Sequence, residues 1–166
     1  MVTVRFIGAT DWRELREIRI RALRGAPEAF LTTAAQAEAE RDEYWMNRAA
    51  MAARGDRWRI FLAHAESGDA VGMASGIEDP ARRGEVELIQ MWVDRSWRNR
   101  SVGAQLVEAV VQWGALRADR IRLGVATDNL AAMALYARSG FVPTGEEEPF
   151  KGRPGISVRY YERTVR

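Results

Sequence analysis

The chain has 166 residues, of which 47% are hydrophobic and 29% charged, the composition of a globular rather than a disordered protein. Its net charge is only +2, and its arginines are interleaved with acidic residues, which argues against a nucleic-acid-binding surface. The chain contains no cysteine, which excludes disulfides, thiolate metal sites and a cysteine nucleophile.

The first half of the chain predicts strands and helices in the order β-α-α-β-β. Apolar alternation predicts the strands, and apolar residues three and four apart predict the helices. A helix stop at Gly25-Ala26-Pro27 separates the two helices, and Ser67-Gly68-Asp69 forms a hairpin turn. The predicted ranges are a strand over 2–7, a helix over 11–25, a helix over 37–53, and strands over 58–65 and 70–77.

The second half predicts the order β-α-β-α-β-β. The ranges are a strand over 85–93, a helix over 102–118, a strand over 121–126, a helix over 130–139, a strand from 141, and a last strand over 157–164. A Gly/Pro loop over 145–155 lies between the last two strands and carries Glu146, Glu147 and Glu148. This alternation predicts a single α/β domain over residues 1–166.

Residues 91–106 form a candidate anion-binding unit of a strand, a basic loop and a helix. The helix begins near Val102, where the first backbone N–H groups have no partner within the helix. The helix dipole adds partial positive charge at this end, so a phosphate is a natural ligand there. Arg98 and Arg100 in the loop add two full positive charges.

The segment Arg98-Asn99-Arg100-Ser101-Val102-Gly103 resembles the Q/R-x-x-G-x-G/A pyrophosphate loop of the GNAT superfamily of acyl-CoA-dependent N-acyltransferases. Ser101 stands where the family usually has glycine. If that position requires a positive φ, serine is strained there by about 1 kcal/mol. If it requires only a donating N–H group and a helix cap, serine serves well.

A second segment, Asn129 to Phe141, resembles the N-x-x-A-x-x-L-Y-x-x-x-G-F signature of the same superfamily at every defining position. The two motifs stand at the family's spacing, and the predicted strand order agrees with it. The resemblance therefore implies the GNAT fold: an α/β domain with one mixed, mostly antiparallel central sheet, flanked by about four helices. The sheet of that fold is splayed between the fourth and fifth strands, where acyl-CoA enters.

The resemblance implies acetyl-CoA as the co-substrate and assigns residues to it. Backbone groups of Met91 and Val93 would hold the acyl carbonyl and the pantetheine arm. The side chain of Asn129 would order that arm, although a plain role as helix N-cap is equally compatible with the sequence. The phosphates would be held by the loop and the helix start, comprising Arg98, Asn99, Arg100, Ser101, Val102, Gly103 and Ala104.

Direct attack of an amine on the thioester would need an acid and a base, because no cysteine can form an acyl-enzyme. Tyr136, with an ordinary pKa near 10, is a suitable acid for the leaving thiolate, and it also lies in the cofactor-binding motif. Several GNAT enzymes carry a glutamate base at the position of Glu87. In a regular strand Glu87 shares a face with Ile89 and Met91, whose apolar side chains would raise its pKa. Alternatively, Glu87 lies in a solvated groove and only attracts cations.

Five further features of the sequence are candidates for the site. Glu85 is on the same face as Glu87 but nearer solvent, and His64 is interpreted as a residue at the rim of a strand. Trp92 is expected on the face opposite Glu87, and both it and Trp97 are interpreted as packing residues. The acidic run over 146–148 is expected to overhang the acceptor side and to attract a cationic amine.

These observations predict an N-acetyltransferase that acts on a primary amine of a small molecule by direct transfer. Two alternatives stay open: an acetyltransferase for protein N-termini or lysines, and a module that binds acyl-CoA without turning it over. We expect no metal, no nucleic-acid or membrane partner, and a cytoplasmic location. Homodimers are common in the family, but the sequence does not fix the oligomeric state.

Overall fold

A seven-stranded mixed sheet forms the centre of the computed structural model, which describes all residues from Met1 to Arg166. The strands are β1 (Val2–Phe6), β2 (Trp58–Ala65), β3 (Ala70–Glu78), β4 (Glu85–Val93), β5 (Arg120–Ala126), β6 (Val142–Pro149) and β7 (Ser157–Thr164). The helices are α1 (Trp12–Gly25), α2 (Ala34–Ala39), α3 (Asp42–Arg54), α4 (Val102–Ala115) and α5 (Leu130–Arg138). Short 3₁₀ turns occupy Pro27–Ala29 and Arg95–Trp97.

The strand order across the sheet is β1-β2-β3-β4-β5-β7-β6, and the only parallel neighbours are β4 and β5. These two strands pair through three residue pairs, of which Glu87 with Arg122 is the last. Beyond Glu87 no residue of β4 pairs with β5, so the sheet opens into a gap. The mixed, mostly antiparallel and splayed sheet expected from the sequence is thereby confirmed.

Two apolar cores lie on opposite faces of the sheet. Helix α4 packs one face with Val102, Leu106 and Val110, a stripe repeating at helical spacing. The other face is covered by α1 and α3, whose Ile18 and Trp45 are almost fully buried. The helices of this second layer cover the first half of the sheet, up to Trp92 of β4.

The region between α1 and β2 differs from the prediction of one helix over 37–53. Two helices occupy it, because Glu40 and Arg41 both have extended backbone angles that interrupt the helical path. The first begins earlier than expected, at a capping box in which the Thr33 hydroxyl accepts from the Gln36 N–H and the Gln36 side chain accepts from the Thr33 N–H. The sheet therefore has five flanking α-helices rather than four. None of the helices is long and apolar enough to cross a bilayer.

Strand β4 is interrupted by a β-bulge that sequence alternation did not predict. Gln90 has φ of +56°, and the register with β3 shifts between Met73 and Ser75. Before the bulge, Val86 and Leu88 pack into the core beside α4. After it, Met91 and Val93 pack against that same core, while Trp92 turns to the α1 side.

The bulge corrects two expectations about faces. Glu87 lies opposite Ile77, which packs against the α1-side core, so Glu87 faces the α1 side. Met91 is consequently on the opposite face from Glu87, and Trp92 is on the same face, the reverse of what strict alternation predicts. The physical reason is the extra residue, which exchanges the two faces for every position that follows it.

Candidate active site

The loop after β4 is held in place at several points. Asp94 accepts hydrogen bonds from the N–H and hydroxyl of Ser96, at 3.0 and 2.7 Å, which fixes the 3₁₀ turn. Its other carboxylate oxygen pairs with Arg21 of α1 at 2.9 Å. Arg98 then donates from Nε to the carbonyl of Val93 at 3.1 Å, tying the loop back to the end of β4. The loop therefore has a defined shape before any ligand arrives.

Six consecutive backbone N–H groups, from Asn99 through Ala104, donate to no acceptor in the chain, and the first bond of the helix is from Gln105 to Ser101. Asn99 and Ser101 have φ of +59° and +61°, whereas Arg100 between them does not have a positive φ. Residues with left-handed backbone therefore alternate with residues of ordinary backbone. Such alternation turns successive N–H groups toward one concave side, which is a geometry suited to an anion. This segment, residues 99–104, is called the amide loop below.

Ser101 resolves the two alternatives that its sequence left open. Its φ is positive, and its side chain makes no capping hydrogen bond to α4. The serine is therefore strained rather than serving as a helix cap, at a cost of about 1 kcal/mol. The positive φ of Ser101 turns its N–H group outward together with the neighbouring N–H groups. A right-handed conformation at this residue would not turn the N–H group in that direction.

Gly103 is where the two sequence motifs meet in space. A Cβ placed on Gly103 would lie 3.0 Å from Cδ2 of Leu135 on α5 and 3.2 Å from Cε of Met91 on β4. Such separations leave no room for a side chain without movement of both neighbours. The start of α4 therefore lies directly against α5 and the end of β4, across the gap in the sheet.

Two arginines stand at the amide loop, Arg98 directly before it and Arg100 within it. The guanidinium of Arg100 stacks over Trp97, with 5.3 Å from its carbon to the ring centroid, so Trp97 supports this arginine as well as packing against the core. A wide cavity of about 660 Å³ reaches Arg98, the residue before the loop, and is lined by four arginines and by Asp94, which pairs with Arg21. The surroundings of the loop therefore favour a polyanion.

Asn129 precedes helix α5, and its side-chain oxygen accepts from the Ala132 N–H at 3.1 Å, so the residue does act as an N-cap. Two turns later, Tyr136 is only 5% exposed and packs edge-on against Phe141, with 6.1 Å between ring centroids. Burial alone raises the pKa of this tyrosine above its ordinary value of 10. The phenol therefore keeps its proton throughout the neutral range.

Glu87 occupies the last position at which β4 and β5 are still paired. Its pKa is raised, chiefly by burial and also by the nearby carboxylate of Asp79, whereas the guanidinium of Arg122 acts in the opposite direction. The expectation that the pKa of Glu87 is raised therefore agrees with the structure, although Met91 is not among its flanking residues. A carboxyl group with a raised pKa is a better proton acceptor at neutral pH than an ordinary one.

The acidic run does not lie in a loop, contrary to expectation. Its three residues belong to β6, and each is held by a partner on β5 or β7. Glu146 pairs with Arg122 at 2.5 Å and Glu147 with Arg159 at 2.6 Å, while Glu148 accepts from the Tyr160 hydroxyl. The partners neutralise or occupy these carboxylates, and hydrogen bonding to Arg122 lowers the pKa of Glu146. They are structural cross-strand pairs rather than free attractors of an amine.

Two other candidate residues, His64 and Glu85, do not belong to the site, because the first lies away from the gap and the second stands between two arginines. His64 on β2 is bound to Glu14 of α1 at 2.8 Å, two strands from β4. Glu85 stands between Arg82 and Arg120, at 3.8 and 3.9 Å. Neither group faces an open space beside the amide loop, and neither is retained in the candidate site.

A second cavity, of about 170 Å³, lies on the α1 side of the sheet and was not foreseen from the sequence. We call it the α1–α3 cavity. Its wall includes Gln90 at the bulge of β4, and Ser75 donates to the Gln90 side-chain oxygen at 2.8 Å. The other principal lining residues are Leu15, Arg19, Gln36, Trp45 and Arg48. No sequence signal identified Gln90, because a bulge with positive φ at glutamine has no local signature.

Comparison with known proteins agrees with this geometry. Residues 12–141 match the model of the acetyltransferase (GNAT) family. The L-amino acid N-acetyltransferase AaaT of Escherichia coli strain K12 is 30% identical to the chain, with 96% of the chain and 94% of that protein covered.

Two solved structures share the fold. The GNAT-family acetyltransferase of Streptococcus pneumoniae superposes with a TM-score of 0.80 at 21% identity, over 99% of the chain and all of that protein. The structure of yncA from Salmonella typhimurium with its cofactor acetyl-CoA gives a TM-score of 0.78 at 18% identity, over the whole chain and 95% of that protein. The family match, the curated relative and the shared fold together place this chain in the GNAT acetyltransferase family, as an acyltransferase enzyme.

Proposed function

We propose that this enzyme transfers an acetyl group from acetyl-CoA to the primary amine of a small molecule, by direct attack within a ternary complex. The observation that carries the proposal is the row of six unpaired N–H groups beside a gap in the sheet that opens directly after Glu87. The relative AaaT is named for acetylating L-amino acids, which supports a small amine as the acceptor.

The amide loop fits the diphosphate of acetyl-CoA. Its N–H groups have no competing acceptor, and Arg98 and Arg100 add charge beside it. From there the pantetheine arm would follow the gap between β4 and β5, past the backbone of Val93 and Met91. The side chain of Asn129 would border the arm at the start of α5. A backbone N–H of Met91 aimed at the thioester oxygen would stabilise negative charge there as the amine attacks.

Proton transfer completes the reaction. The new C–N bond forms as the C–S bond breaks, and Glu87 accepts the proton that the amine nitrogen loses, directly or through a water molecule. The Tyr136 hydroxyl donates its proton to the departing thiolate, and solvent later restores the proton to the phenol. Burial raises the pKa of the Tyr136 phenol, which opposes proton donation, but it also raises the basicity of a thiolate formed beside it, so the two effects offset each other.

The segment between α1 and α3 supports a small acceptor over a protein. Its residues Thr32, Gln36 and Glu40 form part of the wall of the α1–α3 cavity, so this side of the sheet is covered. On the other side of the site, Arg153 of the segment between β6 and β7 pairs with Asp128 at 2.5 Å, at the start of α5. The cover over the α1 side therefore favours a small acceptor over a peptide.

The test is acetyl transfer across a panel of small amines, with one free thiol and one acetylated amine counted for each turnover. We expect equal amounts of the two products with at least one class of amine. A lysine-containing peptide and a peptide with a free α-amino group serve as protein-like acceptors. Efficient acetylation of those peptides, with none of any small amine, would overturn the proposal in favour of a protein acetyltransferase.

A further inference from the structure

Two arginines that form no ion pair line the α1–α3 cavity, whose wall carries one acidic residue, Glu40. Arg19 of α1 has a buried Nη1 atom that donates to nothing in the chain, and neither Arg19 nor Arg48 of α3 takes part in an ion pair. Buried guanidinium groups are normally paired, because removing a charge from water costs several kcal/mol per ion. An unpaired one at a cavity wall is therefore a candidate for binding an anion from outside the chain.

Both arginines are held in position by aromatic rings. The guanidinium of Arg19 lies over Phe30 at 4.6 Å, and that of Arg48 lies over Trp58 at 4.5 Å and Tyr44 at 5.1 Å. Stacking on a ring orients the planar fork while leaving its N–H edges free for hydrogen bonds. A pair of oriented forks is suited to a carboxylate, which accepts two parallel hydrogen bonds from each.

The electrostatics of the cavity point in the same direction. Burial lowers the pKa of Arg19 to about 10, and repulsion from Arg48 contributes to the lowering. Two like charges held close together in a half-buried site are unfavourable by themselves. A bound carboxylate would relieve that repulsion, whereas a cationic ligand such as a polyamine would increase it.

The cavity also has the size and position of an acceptor pocket. Cavities of about 150 Å³ hold a molecule as large as benzene, and this one measures about 170 Å³. Leu15, Trp45 and Ile60 give it an apolar part beside the arginines. Gln90 joins it to β4 three residues beyond Glu87, on the same face of the sheet. The bulge at Gln90 aims that side chain at the cavity, and strained residues of this kind concentrate at ligand sites.

We propose that Arg19 and Arg48 bind the carboxylate of the acceptor, and that the acceptor is an α-amino acid whose amine lies toward Glu87. This inference rests on the proposed function for the reaction itself, but it makes a separate claim about binding. It assigns substrate specificity to residues of α1 and α3 that make no contact with the amide loop.

The test measures binding as well as turnover. L-leucine and L-leucinamide, which differ only in the carboxylate, are titrated calorimetrically into the enzyme saturated with CoA. The variants are Arg19→Gln, Arg48→Gln and Arg19→Lys, with Arg13→Gln as the matched control on the exposed face of α1. Melting temperatures of all variants verify that they are folded. Acetyl transfer to both compounds is then measured with acetyl-CoA.

We expect the wild type to prefer L-leucine over L-leucinamide by at least about tenfold, the range for loss of one charge-assisted pair. Arg19→Gln and Arg48→Gln should each remove most of this preference by raising the Kd and KM for the acid, with little change for the amide. Arg19→Lys should retain part of the preference, and Arg13→Gln all of it.

Equal affinity of the wild type for the two compounds, or an equal loss for both in folded Arg19→Gln, would overturn the inference while leaving the proposed function intact. If no amine is acetylated but the calorimetric preference is present and is lost in Arg19→Gln, the inference stands and the proposed function fails. The two proposals can therefore fail separately.

Discussion

Glu87 of β4 lies opposite Arg122 of β5 in the last residue pair before the sheet opens, yet the guanidinium of Arg122 is engaged by Glu146 at 2.5 Å. Arg122 also stacks over the Tyr160 ring at 4.1 Å, and its side chain is 8% exposed. The guanidinium of Arg122 thus lies beside the proposed base, Glu87, while its ion-pair partner is the carboxylate of Glu146. This arrangement lets the protein adjust the pKa of Glu87 without forming an ion pair with it.

The first prediction concerns that adjustment. Arg122 lowers the pKa of Glu87, so Arg122→Gln should raise it further and move the acidic limb of the kcat/KM profile to higher pH. Glu146→Gln releases Arg122 toward Glu87 and should move the same limb to lower pH. Profiles measured on both variants check the opposite signs. Shifts in the same direction would show that the limb does not report Glu87.

A second prediction concerns the activity of Glu87 itself. Glu87→Gln removes the proton acceptor and should lower kcat by about 10²- to 10⁴-fold, the usual range for general-base catalysis. The acidic limb should vanish with it, because glutamine does not titrate. Glu85→Gln is the control two residues away on the same face, and it should retain kcat to within a few fold. A full loss of activity in the control alone would assign the base to Glu85.

The same substitution has a predicted effect on stability, with the opposite sign from its effect on activity. The pKa of Glu87 is raised in the folded state, so the folded state favours the protonated form. The stability associated with that form is present at low pH and is lost as the pH rises through the folded-state pKa. Glu87→Gln should therefore raise the melting temperature at neutral pH, and the difference should shrink in acid. A variant that is less stable at pH 7 would contradict the burial argument.

A third prediction concerns Tyr136. Tyr136→Phe keeps the ring that packs against Phe141 and removes only the hydroxyl, so the fold and the KM for acetyl-CoA should change little. Loss of the proton donor should lower kcat by about 10²-fold or more. Tyr161→Phe, at another buried tyrosine, is the control and should retain kcat. Activity of Tyr136→Phe equal to that of the control would exclude the hydroxyl as the acid.

A fourth prediction addresses the strain at Ser101. Ser101→Gly should stabilise the fold by up to about 1 kcal/mol, which corresponds to roughly 2–4 °C in a chain of this size. Ser101→Ala should be nearly neutral, because the hydroxyl makes no capping bond, whereas Ser101→Val should destabilise, since a β-branched residue resists positive φ. Thermal unfolding of the three variants measures this order. A large loss in Ser101→Ala would mean that the hydroxyl does cap the helix.

The sequence predicted the strands, the strand-to-helix loop and the family more completely than it predicted the acceptor side. Periodicity reports which residues of a regular element face a core, and both motifs lie at the ends of regular elements. Periodicity could not predict the bulge at Gln90, because glutamine seldom adopts positive φ and no neighbouring residue indicates a bulge. That single residue reversed the expected faces of Met91 and Trp92 and placed Gln90 at the α1–α3 cavity.

The start of strand β6 was predicted at residue 141, but its second half, residues 145–149, was assigned to a loop for a different reason. Its segment is rich in Glu, Pro and Gly, which individually disfavour strands, and local propensity therefore predicted a loop. Partners distant in sequence stabilise it, since Arg122, Arg159 and Tyr160 each bind one of its three glutamates. The unpaired state of Arg19 and Arg48 is likewise a property of the assembled fold. Neither arginine belongs to a motif, and only the packing of α1 against α3 brings them to one cavity.

The central claim is that the amide loop binds acetyl-CoA through its diphosphate, and thermal unfolding with two ligands tests it most directly. Acetyl-CoA should stabilise the fold by about 2.7 kcal/mol at a hundredfold excess over its Kd. S-acetylpantetheine carries the same thioester without phosphates and should produce little or no stabilisation at equal concentration. No shift with millimolar acetyl-CoA, or an equal shift with both ligands, would contradict the assignment of the amide loop.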